Sequence, residues 1–332
     1  MNSIKVSVLV PICNVEKYLH QCLASLTNQT LKDIEIICIN DGSTDNSLAI
    51  IKEFAEKDKR IVIIDKPNSG YGDSMNRGLA ISRGEYIGIV ESDDFADADM
   101  FEQLYRLAQH GNIDIVRSNY YEYWDGKGDA VRFRADIRNY GKIIDLTQEK
   151  ELLLLPAAIW SAIYRKDFLM KNEIRFLPTP GASYQDTSFF IKTLFMAKKL
   201  IYTENFYLHY RQDNAASSVK QCALPKAAFV HTELDEAEHY MKRFPEKYKE
   251  METIYNTRRL QSFFWNLYRV AEKREYLQIM QEANREILCN ENYEKSYFSK
   301  PERIMLQCLK MNSLLAVCFL LKVKKIKQAL FG

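Results

Sequence analysis

Over its first 117 residues the chain alternates between short, almost continuous apolar runs and segments with apolar residues at helical spacing. Few folds accept that pattern. Lys5–Val10, Ile34–Ile39, Ile61–Ile64 and Tyr86–Val90 are rich in Val and Ile and read as strands. Between them, Val15, Tyr18, Leu19, Cys22, Leu23 and Leu26 lie on one helical face, as do Leu48, Ile51 and Phe54. Further helices are predicted around Ser74–Ile81 and Asp97–Gln109, and a strand at Ile113–Val116. Asn14 offers a cap for the first helix, and Ser43 or Asp45 for the second. Strands that are apolar on both faces, alternating with helices, define an α/β three-layer αβα sandwich on a mainly parallel sheet.

The pattern changes after Asn119. Tyr120, Tyr121, Tyr123 and Trp124 run into Asp125–Gly128, a hairpin signal. Residues 148–172 and 184–198 read as helices, Leu200–Tyr202 and Phe206–Arg211 as strands, and everything after Pro225 as helical. The expected organisation is an α/β domain over 1–220, in two halves at 1–117 and 118–220, followed by a helical extension over 221–332. A chain of 332 residues with 47% apolar and 27% charged residues has the balance of a globular protein, and a net charge of +2 gives no reason to expect a nucleic-acid partner. Seven cysteines (Cys13, Cys22, Cys38, Cys222, Cys289, Cys308, Cys318) show no CxxC spacing, so they read as reduced, small buried hydrophobes. The N-terminal apolar run is too short for a signal peptide and lacks a cleavage site, so a cytoplasmic protein is expected.

In an open parallel sheet, ligands bind beyond the carboxyl ends of the strands. Three polar clusters stand there: Pro11–Asn14, Asn40–Asp45 and Glu91–Asp94. The first contains no GxGxxG fingerprint, and no P-loop is present, so neither phosphate cradle is available. Phosphates bound at this rim would need a metal held by carboxylates to offset their charge. Glu91 and Asp93 alternate along an extended segment and can face one ion, and hard Mg²⁺ or Mn²⁺ suits oxygen ligands. Taken singly, an Asp-Asp after a strand is a helix cap or a solvated turn. Together, at strand ends and in this order, the clusters point to a site.

Residues 4–105 resemble the inverting family 2 glycosyltransferases of GT-A fold, of the kind that builds bacterial surface polysaccharides. The resemblance rests on Val8–Pro11 with Asn14, Asn40–Asp45, Asn68 with Gly70, Asn76–Gly78 and Ser92–Asp94, and extends more weakly to about residue 220. It implies a nucleotide-sugar donor, typically a UDP-sugar, bound in the 1–117 half and an acceptor bound in the 118–220 half. Asp41 would accept a hydrogen bond from the base, and Pro11–Asn14 would line base and ribose. Asn68, Gly70, Asn76 and Ser92 complete the donor set. Asp93 would ligate the Mn²⁺ or Mg²⁺ on the diphosphate, and Glu91 stands where the family usually has the first Asp of its DxD motif, as a second ligand. Three positions depart from the pattern: Cys13 where an aromatic is usual, Met75 where Arg is common, and Glu91 itself.

Inversion needs a general base to take the acceptor hydroxyl proton. Tyr184–Phe189 opens a helix after the Pro178–Gly181 loop, and an acid in that first turn faces partial positive charge. The residue is a helix-stabilising Asp or, as the resemblance implies, the base: similar enzymes carry Glu-Asp there, and here Gln185 precedes Asp186. In His209–Arg211, Arg211 would contact the diphosphate. His209 reads either as a metal neighbour or as a strand residue facing partner side chains. Trp160, Tyr164 and Arg165 are candidates for the acceptor cleft.

Near the end, Leu314–Leu321 spans about 12 Å as a helix, against roughly 30 Å of hydrocarbon, and cannot cross a bilayer. With Lys322, Lys324, Lys325 and Lys327 behind it, residues 311–332 suit an anionic membrane surface or, alternatively, pack on protein. The expectation is an enzyme, peripheral on the inner face of the cell membrane, that transfers sugar to a glycan or polyprenyl-linked acceptor. A nucleotidyltransferase on a similar sheet, or a catalytically silent glycan-binding homologue, are the competing readings. The first usually has a Gly-rich, basic signature that Pro11–Asn14 lacks, and retention of Asp93 and Asp186 argues against the second.

Overall fold

The structure is a computed structural model that describes residues 3–215, 223–271 and 273–321. It divides into two compact units. The first comprises Met1–Glu149 with Leu155–Ala215; the second comprises Lys150–Leu154 with the described residues after Ala215.

In the first unit the strands are β1 (Val6–Ile12), β2 (Ile34–Asp41), β3 (Ile61–Lys66), β4 (Tyr86–Ile89), β5 (Phe95–Ala96), β6 (Ile115–Trp124), β7 (Gly128–Phe133), β8 (Ile143–Ile144), β9 (Ala162–Arg165) and β10 (Leu200–Arg211). The helices are α1 (Glu16–Thr27), α2 (Ser47–Lys57), α3 (Tyr71–Ile81), α4 (Met100–Ala108), α5 (Lys166–Lys171) and α6 (Gln185–Met196). One sheet runs β3-β2-β1-β4-β9-β6-β10-β5, with β7 paired to β6 and β8 to β10. β1 pairs in parallel with β2 and β4, and β2 with β3. Every residue of β1 and β2 is buried, as strands covered on both faces require.

The structure corrects the sequence reading in four places. Residues 148–172 are not one helix: Lys150–Leu154 and Ile159–Ser161 are 3₁₀ turns, and only Lys166–Lys171 is α-helical. Between them β9 enters the sheet antiparallel to both β4 and β6, so the sheet is mixed and its two parallel blocks are joined by this strand. A four-residue strand flanked by apolar turns has too short a period-2 signal to separate from helix. Second, β10 is one strand. Its polar Thr203–Asn205 stretch is a bulge across which the register with β6 shifts, with a second shift between Phe206 and Leu208, and Asn119 donates to the Glu204 carbonyl (2.9 Å) there. Third, β6 continues through Trp124, and the Asp125–Gly128 turn closes the β6–β7 hairpin as expected. Fourth, Asn14 is not a helix cap. It is left-handed (φ 53°), and its Oδ1 accepts from the Thr44 amide (2.8 Å). Asp45 serves both helix starts instead, accepting from the Glu16 amide (3.0 Å) and the Ser47 amide (2.9 Å).

The second unit contains α7 (Leu224–Lys242), α8 (Pro245–Arg269), α9 (Lys273–Ala283), α10 (Arg285–Asn290) and α11 (Lys300–Lys310). Among the described residues, no helix is long and apolar enough to cross a membrane. Its core holds a polar knot: Arg259 pairs with Asp235 (2.6 Å) and donates to Asn284 (2.9 Å). Beside it, buried His231 lies against the Phe263 ring, and neither ring nitrogen has a hydrogen-bond partner among the described residues. Burial, with the nearby Arg259 charge adding to it, holds the His231 pKa down at about 4.

His231 therefore stays neutral in the fold but gains a proton in the unfolded chain as pH falls through its ordinary range. Its burden is absent above the unfolded pKa and grows as pH falls toward the folded one. Lowering pH from about 7.5 to about 5 should cost up to about 2 kcal/mol through this residue. Urea denaturation of the His231→Leu variant should show a correspondingly smaller acid destabilisation than wild type. Equal pH slopes would refute the assignment.

Candidate active site

The carboxyl ends of β1, β2 and β4 bring the three polar clusters together. Asn14 bridges to Thr44, and the Asn14 amide donates to Ser43 (3.1 Å), so the β1 and β2 loops are laced to each other. Asp41, at the end of β2, is buried. Its Oδ1 accepts from Lys66 and from the Ser69 amide (2.8 Å), and its Oδ2 from the Gly70 amide (3.0 Å). A carboxylate has about four lone-pair positions, so one on Oδ2 is left for a ligand N–H such as that of a base. Lys66 was not singled out from sequence, yet it ends β3 on the same rim. Asn68 donates to the Asp41 carbonyl (2.9 Å) and to the Cys13 sulfur (3.5 Å), which lies exposed beside it.

Glu91–Asp94 forms a tight turn, with the Asp94 amide donating to the Glu91 carbonyl (3.0 Å). Tyr71 donates its phenolic proton to Glu91 Oε1 (2.7 Å), and Asn214 donates to Asp93 Oδ2 (2.8 Å). Ser92 is buried within the turn. Asp94 accepts from the Arg211 amide (2.8 Å) on Oδ1, while its buried Oδ2 has no partner among the described residues. Burial pushes the Glu91 pKa up to about 8; the Tyr71 hydrogen bond acts against this, and repulsion from Asp93 and Asp186 adds to it. Burial, then the Asp93 charge, likewise pushes Asp94 well up. Both carboxyls therefore hold their protons tightly, and ionising them in place costs energy that a nearby positive charge would offset.

Arg211, expected at the diphosphate, is buried instead. Its guanidinium lies over the rings of Tyr18 (4.7 Å) and Tyr123 (5.0 Å), donates to the Asp93 carbonyl (2.8 Å), and reaches Gln21 and Asp125. It holds the carboxylate turn from behind. His209 is a strand residue committed to neighbours: Nδ1 to Asp129 (2.7 Å) and Nε2 to Asp97 (2.9 Å), with its ring stacked between Phe95 and Tyr121. Burial opposes its charged form, but the two aspartates outweigh it and raise its pKa. Of the cleft candidates, Tyr164 is fully buried with its hydroxyl on the Ile159 carbonyl (3.1 Å), and Arg165 pairs with Asp114. Both are structural. Trp160 is largely buried and stacks on Tyr210 (5.0 Å), which is close enough to Asp94, Asp93, Asp186 and Glu91 to feel their charge.

Asp186 is half-buried in the first turn of α6, as expected, and near enough to Glu91 to raise its pKa. The loop before it is pinned by Gln185, which accepts from the Ser183 amide and donates to Thr179 Oγ1 (2.9 Å). The same loop lies directly on the start of α3. A Cβ on Gly70 would meet the Thr179 carbonyl oxygen at 2.6 Å, and one on Gly72 would collide with the Leu177 carbonyl. Asn76 completes the seam rather than facing a ligand: it donates to the Phe176 carbonyl (2.8 Å) and accepts from the Phe176 amide (3.0 Å).

A parallel-stranded rim crowded with carboxylates and a base candidate opposite defines a transferase of the GT-A type. The chain belongs to glycosyl transferase family 2, whose model matches residues 7–172. Among curated proteins it is similar to glycosyltransferases GlyA and GlyG of Streptococcus pneumoniae. It is 35% identical to GlyA over 62% of this chain but 30% of GlyA, and 33% identical to GlyG over 63% of this chain and 72% of GlyG. Among solved structures it resembles S. aureus TarS 1-349 in complex with UDP (TM-score 0.62, 18% identity, 97% of this chain, 91% of that one). It also resembles the Pyrobaculum calidifontis mannosyltransferase PcManGT in complex with GDP-Man and Mn²⁺ (TM-score 0.51, 12% identity, 97% and 86% covered).

The Asn76 contacts predict a stability effect. Asn76→Asp keeps size but sets a carboxylate oxygen against the Phe176 carbonyl, so unfolding free energy should fall by about 1–3 kcal/mol in urea titrations. An unchanged midpoint would show that the seam does not depend on this side chain.

Proposed function

We propose that this chain transfers a sugar from a nucleotide diphosphate donor, a UDP-sugar, to a glycan or polyprenyl-linked acceptor of surface polysaccharide, with inversion. The observation that carries the reading is the grouping of Glu91, Asp93 and Asp186 around one polar rim, beside an Asp41 with a lone pair to spare. A nucleotidyltransferase or a silent homologue is disfavoured by the family match and by this grouping.

Charge is the argument for a cation. Among the described residues no group of three His, Cys, Asp or Glu is close enough to hold an ion unaided. Mg²⁺ and related ions are commonly held by one or two carboxylates together with substrate phosphates, and a rim where an added positive charge would favour the ionised carboxyls fits that role. Asp93 would hold Mn²⁺ or Mg²⁺, and Glu91, the other carboxyl of the pair, would face the sugar end of the donor. Once bound, the ion would offset charge developing on the departing diphosphate. Asn14, Pro11, Asn68 and Asp41 would receive base and ribose. Asp186 would take the acceptor hydroxyl proton as its oxygen attacks the anomeric carbon from the face opposite the leaving group. Arg211 acts through the Asp93 carbonyl, fixing the turn rather than touching the donor.

The end of the chain supports a membrane-surface location on the cytoplasmic side. Residues 314–321 are helical; Val317 and Leu321 are buried, while Met311, Leu315 and Phe319, each four residues apart, are 69%, 77% and 67% exposed. Packing on protein thus accounts for one face of this helix and leaves Leu315 and Phe319 exposed on the other, with Met311 exposed in the turn before it. The lysines at 322, 324, 325 and 327 lie outside the described residues.

Calorimetry should show tight UDP binding only with Mn²⁺ or Mg²⁺, strongly weakened by Asp93→Asn; equal affinity in chelator would eliminate the metal role. Asp186→Asn, nearly isosteric, should leave donor affinity little changed while transfer to a true acceptor falls about 10²–10⁴-fold. Near-normal transfer would move the role to another carboxylate. Flotation with anionic liposomes should recover the full chain and lose a version truncated after Lys310, whereas unchanged flotation would assign the tail to protein packing.

A further inference from the structure

The resemblance leaves Tyr71 without a role, yet three parts of the site meet at this residue. Its hydroxyl donates to Glu91 Oε1 (2.7 Å), and its amide donates to the Gly181 carbonyl (2.9 Å) in the loop that leads to Asp186. Its ring stands edge-on to Phe176 (5.8 Å), which stacks on Phe189 of α6 (4.1 Å). The residues either side are Gly70 and Gly72, which the Leu177–Gly181 backbone covers so closely that neither could carry a side chain. Tyr71 is therefore the one side chain that the Gly70–Gly72 turn can send into the site.

The length of Glu91 belongs to the same arrangement. An aspartate at that position would withdraw its oxygens by about 1.5 Å, one carbon–carbon bond, and the Tyr71 hydrogen bond would be lost. With Tyr71 on Oε1, no hydrogen bond to Oε2 is made among the described residues. We propose that Tyr71 is a positioning residue. Its hydroxyl fixes the Glu91 carboxylate so that Oε2 meets the sugar end of a nucleotide-sugar donor, and its amide ties that carboxylate to the loop bearing the base. The proposal rests on the nucleotide-sugar reading above. It assigns Tyr71 to the step that consumes the sugar, not to binding of the nucleotide.

The test uses the full chain as wild type, Tyr71→Phe, Glu91→Gln and the double variant. Each is assayed for UDP binding with Mn²⁺ and for hydrolysis of UDP-glucose, UDP-galactose and UDP-N-acetylglucosamine. Tyr71→Phe keeps the ring packing and the backbone bond and removes only the hydroxyl. It should bind UDP as wild type does. It should lose about tenfold or more in kcat, with KM little moved, on whichever donor the wild type turns over. The double variant should be no worse than Glu91→Gln alone, because the two side chains act as one unit. Wild-type turnover in Tyr71→Phe, multiplying losses in the double variant, or UDP affinity falling in step with kcat would each overturn the positioning role alone. A wild type that hydrolyses none of the three donors would remove the nucleotide-sugar reading, and the role of Tyr71 with it.

Discussion

Carboxylates do not gather in a half-buried rim unless something holds them against their own repulsion, and that constraint organises this site. Burial, with repulsion from Asp93 and Asp186 added, raises the Glu91 pKa to about 8, and burial with the Asp93 and Glu91 charges raises that of Asp94. The fold holds them with donors placed behind the turn. Arg211 takes the Asp93 carbonyl and its amide takes Asp94; Asn214 takes Asp93; Tyr71 takes Glu91. Only Arg211 among these donors brings a full positive charge. A full positive charge facing the rim would compete with a cation for the same oxygens. A guanidinium sandwiched between Tyr18 and Tyr123 and committed to Asp125 fixes the backbone and leaves the rim electronegative.

The second requirement is that Asp186 stay in register with the rim, and backbone contact meets it. Gly70 and Gly72 let α3 and the 177–181 backbone touch with no side chain between them, and the paired bonds from the Asn76 side chain to Phe176 copy a strand ladder over one residue. β9 serves the same end within the sheet. By running antiparallel between β4 and β6 it joins the parallel β1–β4 strands to the block containing β10. Strand alternation on β10 then sends His209 and Arg211 to one face, where Asp97, Asp129, Asp93 and Asp125 stand, and Tyr210 to the other against Trp160.

What could be read in advance follows from how local each signal is. The β1–β4 block was legible because each strand is a run of branched apolar residues and each site cluster sits immediately after one. Asp41, Glu91 and Asp93 are found at the rim for that reason. β9 was not legible, because four residues between apolar turns carry no distinguishable period. The burial of Arg211 and the seam role of Asn76 were also hidden: both depend on partners more than eighty residues away, which no spacing rule connects. Lys66 and Tyr71 were within reach. One ends a strand on the rim, and the other is framed by two glycines, a pattern that marks close backbone approach.

The departures from the family pattern fit together once the charge constraint is recognised. Gln185 stands where similar enzymes carry Glu, and its amide does what a carboxylate cannot: it accepts from the Ser183 amide while donating to Thr179. A glutamate there would add another negative charge beside a rim already short of compensation. Met75 replaces a common Arg and is fully buried, where a guanidinium would have to be paired to be tolerated. Glu91 is the complementary case, a longer acid matched by a tyrosine hydroxyl at its end. Each change keeps the electrostatic balance of the rim while altering its shape. Natural variation at these positions should therefore travel in sets, with residue 91 tied to residue 71 and residue 185 to the 179–183 loop.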